Sequence, residues 1–226
     1  MLSVVIPALN AARTLPACLE ALGAGNGFVE EVIVADGGSA DATVQIAERA
    51  GACVIASPRG RGVQLAEGAQ AAQARWLLFL HADTVLEAGW QAEARAFIEE
   101  TDAGAGGGAA AFRFALDDDV PAARRMERLV AWRNRRLGLA YGDQGLLISR
   151  KFYEGLGGYR PVPLMEDVDI VRRIGKARLR ILDARAVTDA ARYRQGGYIL
   201  RPLRNIALVS LFFLGVPPRV LARLYG

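Results

Sequence analysis

Histidine and lysine are almost missing from this sequence: His81 is the single histidine, and Lys151 and Lys176 are the only lysines. One imidazole excludes a multi-histidine metal centre, so a bound cation would rest on oxygen ligands. Cys18 and Cys53 lack Cys-x-x-Cys spacing and sit in apolar stretches. They read as two buried, unpaired thiols in a reducing compartment. No Gly-Lys-Ser/Thr is present for a P-loop, and Gly60-Arg61-Gly62 is followed by Leu65 where a dinucleotide fingerprint needs its third glycine. No internal repeat of solenoid period is present. The chain enters a strand without a basic leader or a cleavage site, so the expectation is a cytoplasmic protein.

What is present fits an ordinary folded protein. The chain has 226 residues, 52% hydrophobic and 23% charged, enough for one large domain or two small ones with a substantial core. Its net charge of +4 comes almost wholly from arginine. Arginine is the better bidentate phosphate ligand. Arginine in place of lysine beside abundant alanine also fits a GC-rich bacterial genome, and no nucleic-acid partner is expected.

The stretch that organises the rest is Trp76-Leu77-Leu78-Phe79-Leu80-His81-Ala82-Asp83-Thr84. Its five apolar residues are too short for a lone helix and right for a strand buried on both faces. His81 and Asp83 lie two apart and point the same way if the strand period persists. A buried parallel strand delivering a carboxylate at its C-terminal end is where open α/β sheets place ligands. The competing reading is that Asp83 and Thr84 cap a helix starting near Glu87.

Around this stretch, strands and helices alternate. Strands are expected over 2–6, 32–35, 53–56 and 76–80. Helices are expected over 11–22, over 42–50 behind an Asp41 cap, and from the loop 57–62 to about 75. Such alternation means βαβ units and a mostly parallel sheet, so the first ~115 residues look like a nucleotide-binding half of an α/β fold. The second half is less regular. Residues 104–111 are rich in glycine and alanine, and 112–114 alternate like a strand with one wet face. Residues 121–137 read as an arginine-rich helix, 146–149 as a strand and 166–174 as a helix with acids first and arginines last, as the dipole prefers.

Three loops should meet at the carboxyl edge of the sheet, carrying Asn10, Asp36 and Asp83, with Arg59 and Arg61 nearby. Arg61 also precedes a helix N-terminus, where backbone N–H groups favour phosphate. These pieces suggest a nucleotide with at least two phosphates, its charge balanced by a divalent metal on Asp83. Each motif also has a plain reading: Asp36-Gly37-Gly38 as a tight turn, and Arg59-Gly60-Arg61 as a solvated loop. The second acid cluster, Glu166-Asp167-Val168-Asp169, is dense for helix capping alone. A carboxylate held over a cleft is what a general base for a hydroxyl needs, worth about 10²–10⁴-fold.

Taken together, Ser3-Val4-Val5-Ile6-Pro7-Ala8-Leu9-Asn10, Glu31-Val32-Ile33-Val34-Ala35-Asp36-Gly37-Gly38-Ser39-Ala40-Asp41, Leu80-His81-Ala82-Asp83, Gly157-Gly158-Tyr159 and Met165-Glu166-Asp167 resemble the family 2 glycosyltransferases of the GT-A fold. The resemblance covers roughly residues 2–190 in order. Two stretches, 57–65 and 164–169, are similar to a bacterial subgroup associated with arsenosugar biosynthesis or radical-SAM/selenodomain proteins. The resemblance implies an enzyme with a GT-A domain over 1–195 and a C-terminal helical appendage over 196–226. It implies transfer of a sugar from a nucleotide-diphosphate sugar to an acceptor hydroxyl, assisted by Mg²⁺ or Mn²⁺, with inversion.

Carried over residue by residue, the resemblance sets Pro7, Ala8 and Asn10 beside the nucleotide and Asp36 on its base or ribose. His81-Ala82-Asp83 takes the Asp-x-Asp place, Asp83 being the metal ligand; on physical grounds a metal and Arg61 would together stabilise the charge on the departing diphosphate. Asp167 is then the base, with Glu166 its neighbour or an acceptor ligand. Two departures stand out: His81 replaces the usual first aspartate, and Asp36-Gly37-Gly38 replaces Asp-Asp-Gly. Asp143 and Gln144, in Gly142-Asp143-Gln144-Gly145, read as an acceptor-side loop or as a plain turn. Rival readings are a nucleotidyltransferase, which would release pyrophosphate, and a nucleotide-sugar-binding protein without turnover.

Residues 206–216 form an apolar run of eleven with one serine, about half a bilayer span. Flanking Arg201, Arg204, Arg219 and Arg223 allow an interfacial helix at the inner membrane face. The alternatives are a helix packed on the domain or on a second copy in a homodimer.

Overall fold

The computed structural model describes residues 1–23, 27–104, 108–198 and 200–225. Gly25 and the centre of the glycine- and alanine-rich segment 104–111 lie outside the described residues. In chain order the elements are β1 (Leu2–Ala8), α1 (Leu15–Leu22), β2 (Val29–Asp36), α2 (Thr43–Arg49), β3 (Cys53–Ala56), α3 (Arg61–Ala71), β4 (Trp76–Phe79), β5 (Thr84–Leu86) and α4 (Trp90–Ala103). There follow β6 (Ala109–Leu116), α5 (Pro121–Leu137), β7 (Leu146–Ser149), α6 (Arg150–Gly155), α7 (Glu166–Ile174), β8 (Leu179–Thr188), α8 (Ala191–Gly196), α9 (Leu200–Phe213) and α10 (Pro218–Tyr225).

One eight-stranded sheet runs in the order β3-β2-β1-β4-β7-β6-β8-β5. Every residue of β1 and of β4 is buried, as continuous β-branched and apolar runs require when helices cover both sheet faces. Val4, Ile6, Leu78 and Leu80 pack on one face, and Val5, Leu77 and Phe79 on the other. Each such side chain contributes about 1.5–3 kcal/mol when fully buried. The half built from β1 to β4 is parallel, as the alternation demands, with Ser3 opposite Leu77 and Ala8 opposite Asp36. Beyond β4 the sheet is mixed. β7 runs antiparallel to both β4 and β6, and β5 antiparallel to β8, so four of the seven pairings are parallel.

The departures from the sequence reading have physical causes. Thr84 caps no helix; it enters β5 opposite Thr188, and the next helix waits until Trp90. Helix α1 starts at Leu15 rather than near residue 11; the N–H groups of Ala11 and Ala12 donate to Thr43 Oγ1 and Asp41, which ties the turn before the helix to the start of α2. Helix α3 stops at Ala71. Arg150 donates to the carbonyl of Ala69 in the helix's last turn and to those of Ala72 and Ala74 just past it, and Ala74 N–H donates to Ser3 Oγ. Cys18 is buried as expected, but Cys53 is exposed, since β3 is an edge strand.

Strand order fixes where ligands can bind. From β1 the chain crosses to β2 on one side, and later places β4 on the other, so a crevice opens at the carboxyl ends of β1 and β4. Residues 7–10 and 81–83 lie there. Helices α9 and α10 pack over the same edge, with Leu208 and Leu221 buried against Leu164, Met165 and Val168.

Candidate functional site

Three cavities follow one another along this edge. The first, about 480 Å³, is lined on the sheet side by Pro7, Ala8, Asn10, Arg61, His81, Ala82 and Asp83. The second, about 160 Å³, shares Arg61, His81 and Asp83 with the first and adds Asp143 and Asp167. A third, about 340 Å³ and mainly apolar, shares Tyr141 and Asp143 with the second.

Local chemistry explains how each residue arrives. Asn10 adopts φ +51°, a conformation asparagine tolerates, while its side chain accepts Ala40 N–H and its own N–H donates to Ser39 Oγ. These bonds tie the β1 loop to the loop after β2. Gln64 reaches from α3 to donate to the carbonyls of Ala8 and Ala35, holding the helix against both strand ends. Arg61, the first residue of α3, is ion-paired to Glu166 at 2.8 Å. Glu166 is 1% exposed and Arg61 43%, so the guanidinium is anchored from below and open to the cavity above. The close approach depends on Gly62, where a Cβ would stand 2.5 Å from the Arg160 carbonyl.

Asp167 is set by two elements. Met165, just before it, takes φ +69°, a conformation rare for a side-chain-bearing residue and one that a packed structure must enforce. One Asp167 oxygen then accepts the N–H of Gly142 at 3.0 Å and the other its neighbour Val168 N–H at 2.7 Å. Gly142 also lies against the His81 ring, where a Cβ would come within 2.5 Å of Nε2.

The carboxylates share a crowded field. Burial pushes Asp143 up to about 6; Arg133 opposes this, and Asp167 and Asp83 reinforce it. Burial also raises Glu166, against the pull of Arg61. Burial and then nearby Asp83 push the Cys18 thiol up to about 12, so it stays protonated and inert. Asp83 Oδ1 and Asp143 Oδ1 are buried without a hydrogen-bond partner among the described residues.

Such an orphaned carboxylate oxygen tests whether a metal fits. Among the described residues no three His, Cys, Asp or Glu side chains gather into a complete cage. A hard cation held by one carboxylate and completed by ligand phosphates and water needs no cage, and Asp83 fits that role.

Most of the residues singled out in sequence therefore meet. Asp36 and Gln144 stand apart. The Asp36 carboxylate accepts the N–H groups of Gly38 and Ser39 and the Ser39 hydroxyl, so it is spent on its own turn and lines neither polar cavity. Gln144 is fully buried, donating to Phe112 O and accepting from Arg133. Glu166 lies beneath the surface as the anchor of Arg61 rather than in the cavity.

The sequence reading missed Asp189, Arg13, Tyr141, Arg201 and Tyr225, all of which line the first or second cavity. Asp189 N–H donates to the Asp83 carbonyl, and its carboxylate is paired with Arg13 and Arg194. A signal existed: buried Leu182, Ala184 and Ala186 alternate with exposed Asp183 and Arg185, the period of the strand that ends beside Asp189.

The model of Glycosyl transferase family 2 matches residues 3–155, about two thirds of the sequence. The chain belongs to this family. Glu166 and Asp167 lie beyond the matched segment, so their placement rests on the geometry above. A relative from Mycobacterium bovis (strain BCG / Pasteur 1173P2), described as a PGL/p-HBAD biosynthesis glycosyltransferase, is 40% identical over 111 residues, which is 44% of this chain and 42% of that protein. The chain thus spans about two fifths of the length of the curated relatives it matches. Glucosyl-3-phosphoglycerate synthase from Mycobacterium tuberculosis, solved with Mn²⁺, UDP and glucosyl-3-phosphoglycerate, superposes with a TM-score of 0.57 at 21% identity, over 83% of this chain and 70% of that one. Residues 1–349 of S. aureus TarS with UDP-GlcNAc give 0.62 at 16% identity, over 83% and 58%. At these identities the structures establish the shared GT-A fold.

Proposed function

We propose that this family 2 member is a glycosyltransferase that moves a sugar from a nucleoside diphosphate sugar to an acceptor hydroxyl with inversion. One observation carries the reading: Asp83, Arg61 and Asp167, from three separate segments, face one cavity at the carboxyl ends of β1 and β4. Neighbours of the same fold hold UDP, UDP-GlcNAc and Mn²⁺, which supports this donor class.

The nucleotide occupies the larger cavity beside Pro7, Ala8 and Asn10, with its diphosphate toward the N-terminus of α3 and Arg61. A divalent metal on Asp83 would supply positive charge against the departing diphosphate. His81, braced by Gly142, shapes the floor between the two polar cavities. Asp167 takes the acceptor proton. The new bond joins the acceptor oxygen to the anomeric carbon, the sugar–phosphate bond breaks, and its electron pair leaves on the nucleoside diphosphate. Stabilising charge that develops on a leaving group is usually the largest single contribution to such a rate.

The stretches 57–65 and 164–169 support membership of the bacterial arsenosugar or selenodomain-associated subgroup. They form one physical unit, since Arg61 of the first is paired with Glu166 of the second.

A panel of nucleotide sugars with Mn²⁺, Mg²⁺ or EDTA tests the function. A ligand that binds the native state raises the melting temperature in proportion to the logarithm of its occupancy factor. The expected result is a metal-dependent shift with one nucleoside diphosphate, lost in Asp83→Ala, and release of nucleoside diphosphate on turnover. Release of pyrophosphate would identify a nucleotidyltransferase instead.

A further inference from the structure

The third cavity shares no lining residue with the first, where the donor is placed. It lies between α5 and α9, and its walls carry large apolar side chains half open to water: Leu129 at 47%, Trp132 at 51%, Ile206 at 52% and Phe213 at 43% exposure. On α5, an otherwise arginine-rich helix, Met126, Leu129, Val130 and Leu137 form a single apolar stripe at helical spacing. Val130 and Met126 pack on a small core with Phe114 and Leu116, while Leu129 and Leu137 stay exposed along the groove. The groove is continuous with the catalytic side, because Tyr141, Asp143, Tyr193, Asn205 and Val209 line both it and the central cavity.

At that junction the chemistry changes. Asp143 Oδ1 and Arg133 Nε are buried without partners among the described residues, while the Arg133 guanidinium stacks on the Tyr141 ring at 3.7 Å. Unpaired buried polar atoms are costly, and a ligand's polar end can satisfy them. Apolar walls leading to a few convergent polar groups are the usual form of a small-molecule site, and about 340 Å³ is within its size range of roughly 300–1,000 Å³.

We propose that the groove between α5 and α9 is the acceptor site, taking an alcohol with an apolar body whose hydroxyl end lies between Asp143 and Asp167. The inference rests on the glycosyl-transfer reading and adds the class of acceptor. The apolar body fills the groove, the hydroxyl gives its proton to Asp167 as its oxygen bonds the anomeric carbon, and the electron pair of the broken sugar–phosphate bond leaves with the diphosphate.

The chain carries its own reporter. Trp76 and Trp90 are buried, so Trp132 is the tryptophan whose fluorescence responds to a filled groove. Titration with primary alkanols from hexanol to decanol should give a saturable blue shift, with affinity rising about fourfold per methylene. Ile206→Arg and Leu129→Glu, on opposite walls and both exposed, should weaken binding at least tenfold while their circular dichroism melts stay within a few degrees of wild type. With the donor present, decanol should be glycosylated, and Ile206→Arg should raise its KM with kcat retained. An unsaturable response, or wild-type affinity in both wall variants, overturns the inference. So does binding to phosphatidylglycerol vesicles without saturable alkanol binding, which would make this face a membrane contact. The nucleotide melting assay run in parallel separates the two readings. A retained metal-dependent nucleotide shift without alkanol binding sinks the acceptor site alone; alkanol binding without any nucleotide shift sinks its assignment as an acceptor.

Discussion

Replacing Gly142 with alanine tests how Asp167 is held. The added Cβ would stand 2.5 Å from His81 Nε2, 2.8 Å from its Cε1 and 3.5 Å from an Asp167 oxygen. Ordinary carbon contacts lie at about 3.5–4.0 Å, so ring or loop must retreat by roughly 1 Å. Gly142 does not occupy the left-handed region, so alanine adds steric conflict without backbone strain. If the loop moves, the 3.0 Å bond from Gly142 N–H to Asp167 lengthens past the range of a hydrogen bond. Overpacking of this kind costs about 1–3 kcal/mol. For a chain of this size each kcal/mol lowers the melting temperature by about 2–4 °C. A catalytic group displaced by about 1 Å loses roughly a hundredfold in rate. The expected outcome for Gly142→Ala is therefore a modest loss of melting temperature, a kcat about a hundredfold lower, and a retained metal-dependent nucleotide shift. Adding His81→Ala should recover part of the melting temperature by opening space for the methyl group. A kcat within twofold of wild type, measured alongside the expected destabilisation, would show that the Gly142 amide does not position the base.

Asp167→Asn removes the proposed proton acceptor at constant shape and should lower kcat by about 10²–10⁴-fold with nucleotide melting shifts unchanged; normal turnover would exclude Asp167 as the base. Asp143 holds its proton more tightly folded than unfolded, from an ordinary 3.8 up to about 6. Linkage then makes wild type lose stability relative to Asp143→Asn as pH rises across that window, with no further change above it. Melting curves of both proteins from pH 3.5 to pH 7.5 check the sign; a flat difference would refute it. Arg150→Leu strips donors from the carbonyls of Ala69, Ala72 and Ala74 and should cost about 2–3 kcal/mol by urea titration, because carbonyls are left without partners. An unchanged midpoint would mean that water replaces the guanidinium at no cost.

Much of this molecule is legible in its sequence, and for identifiable reasons. The uninterrupted apolar runs of β1 and β4 can be stable only as strands covered on both faces, which fixes a parallel α/β half and the edge on which His81 and Asp83 emerge. Residues 121–137, 146–149 and 166–174 are equally clear, because capping residues, proline and charge order mark their ends locally. Tertiary structure decided the rest. Thr84 looks like a helix cap beside Asp83, and only its pairing with Thr188 across the sheet makes it a strand residue. Asp36 and Asp83 read alike as acids at strand ends, yet one is consumed by its own turn while the other keeps an unpartnered oxygen. Glu166 and Asp167 are neighbours in one acidic cluster. The left-handed turn at Met165 and the distant partners Arg61 and Gly142 send the first beneath the cavity as an anchor and leave the second at its surface. Local pattern determines which residues form strands and helices, because period and capping are properties of adjacent side chains. Asp36 is spent locally, on the turn that follows it, whereas the parting of Glu166 from Asp167 depends on Arg61 and Gly142, partners tens of residues away that are assigned only when the chain has folded.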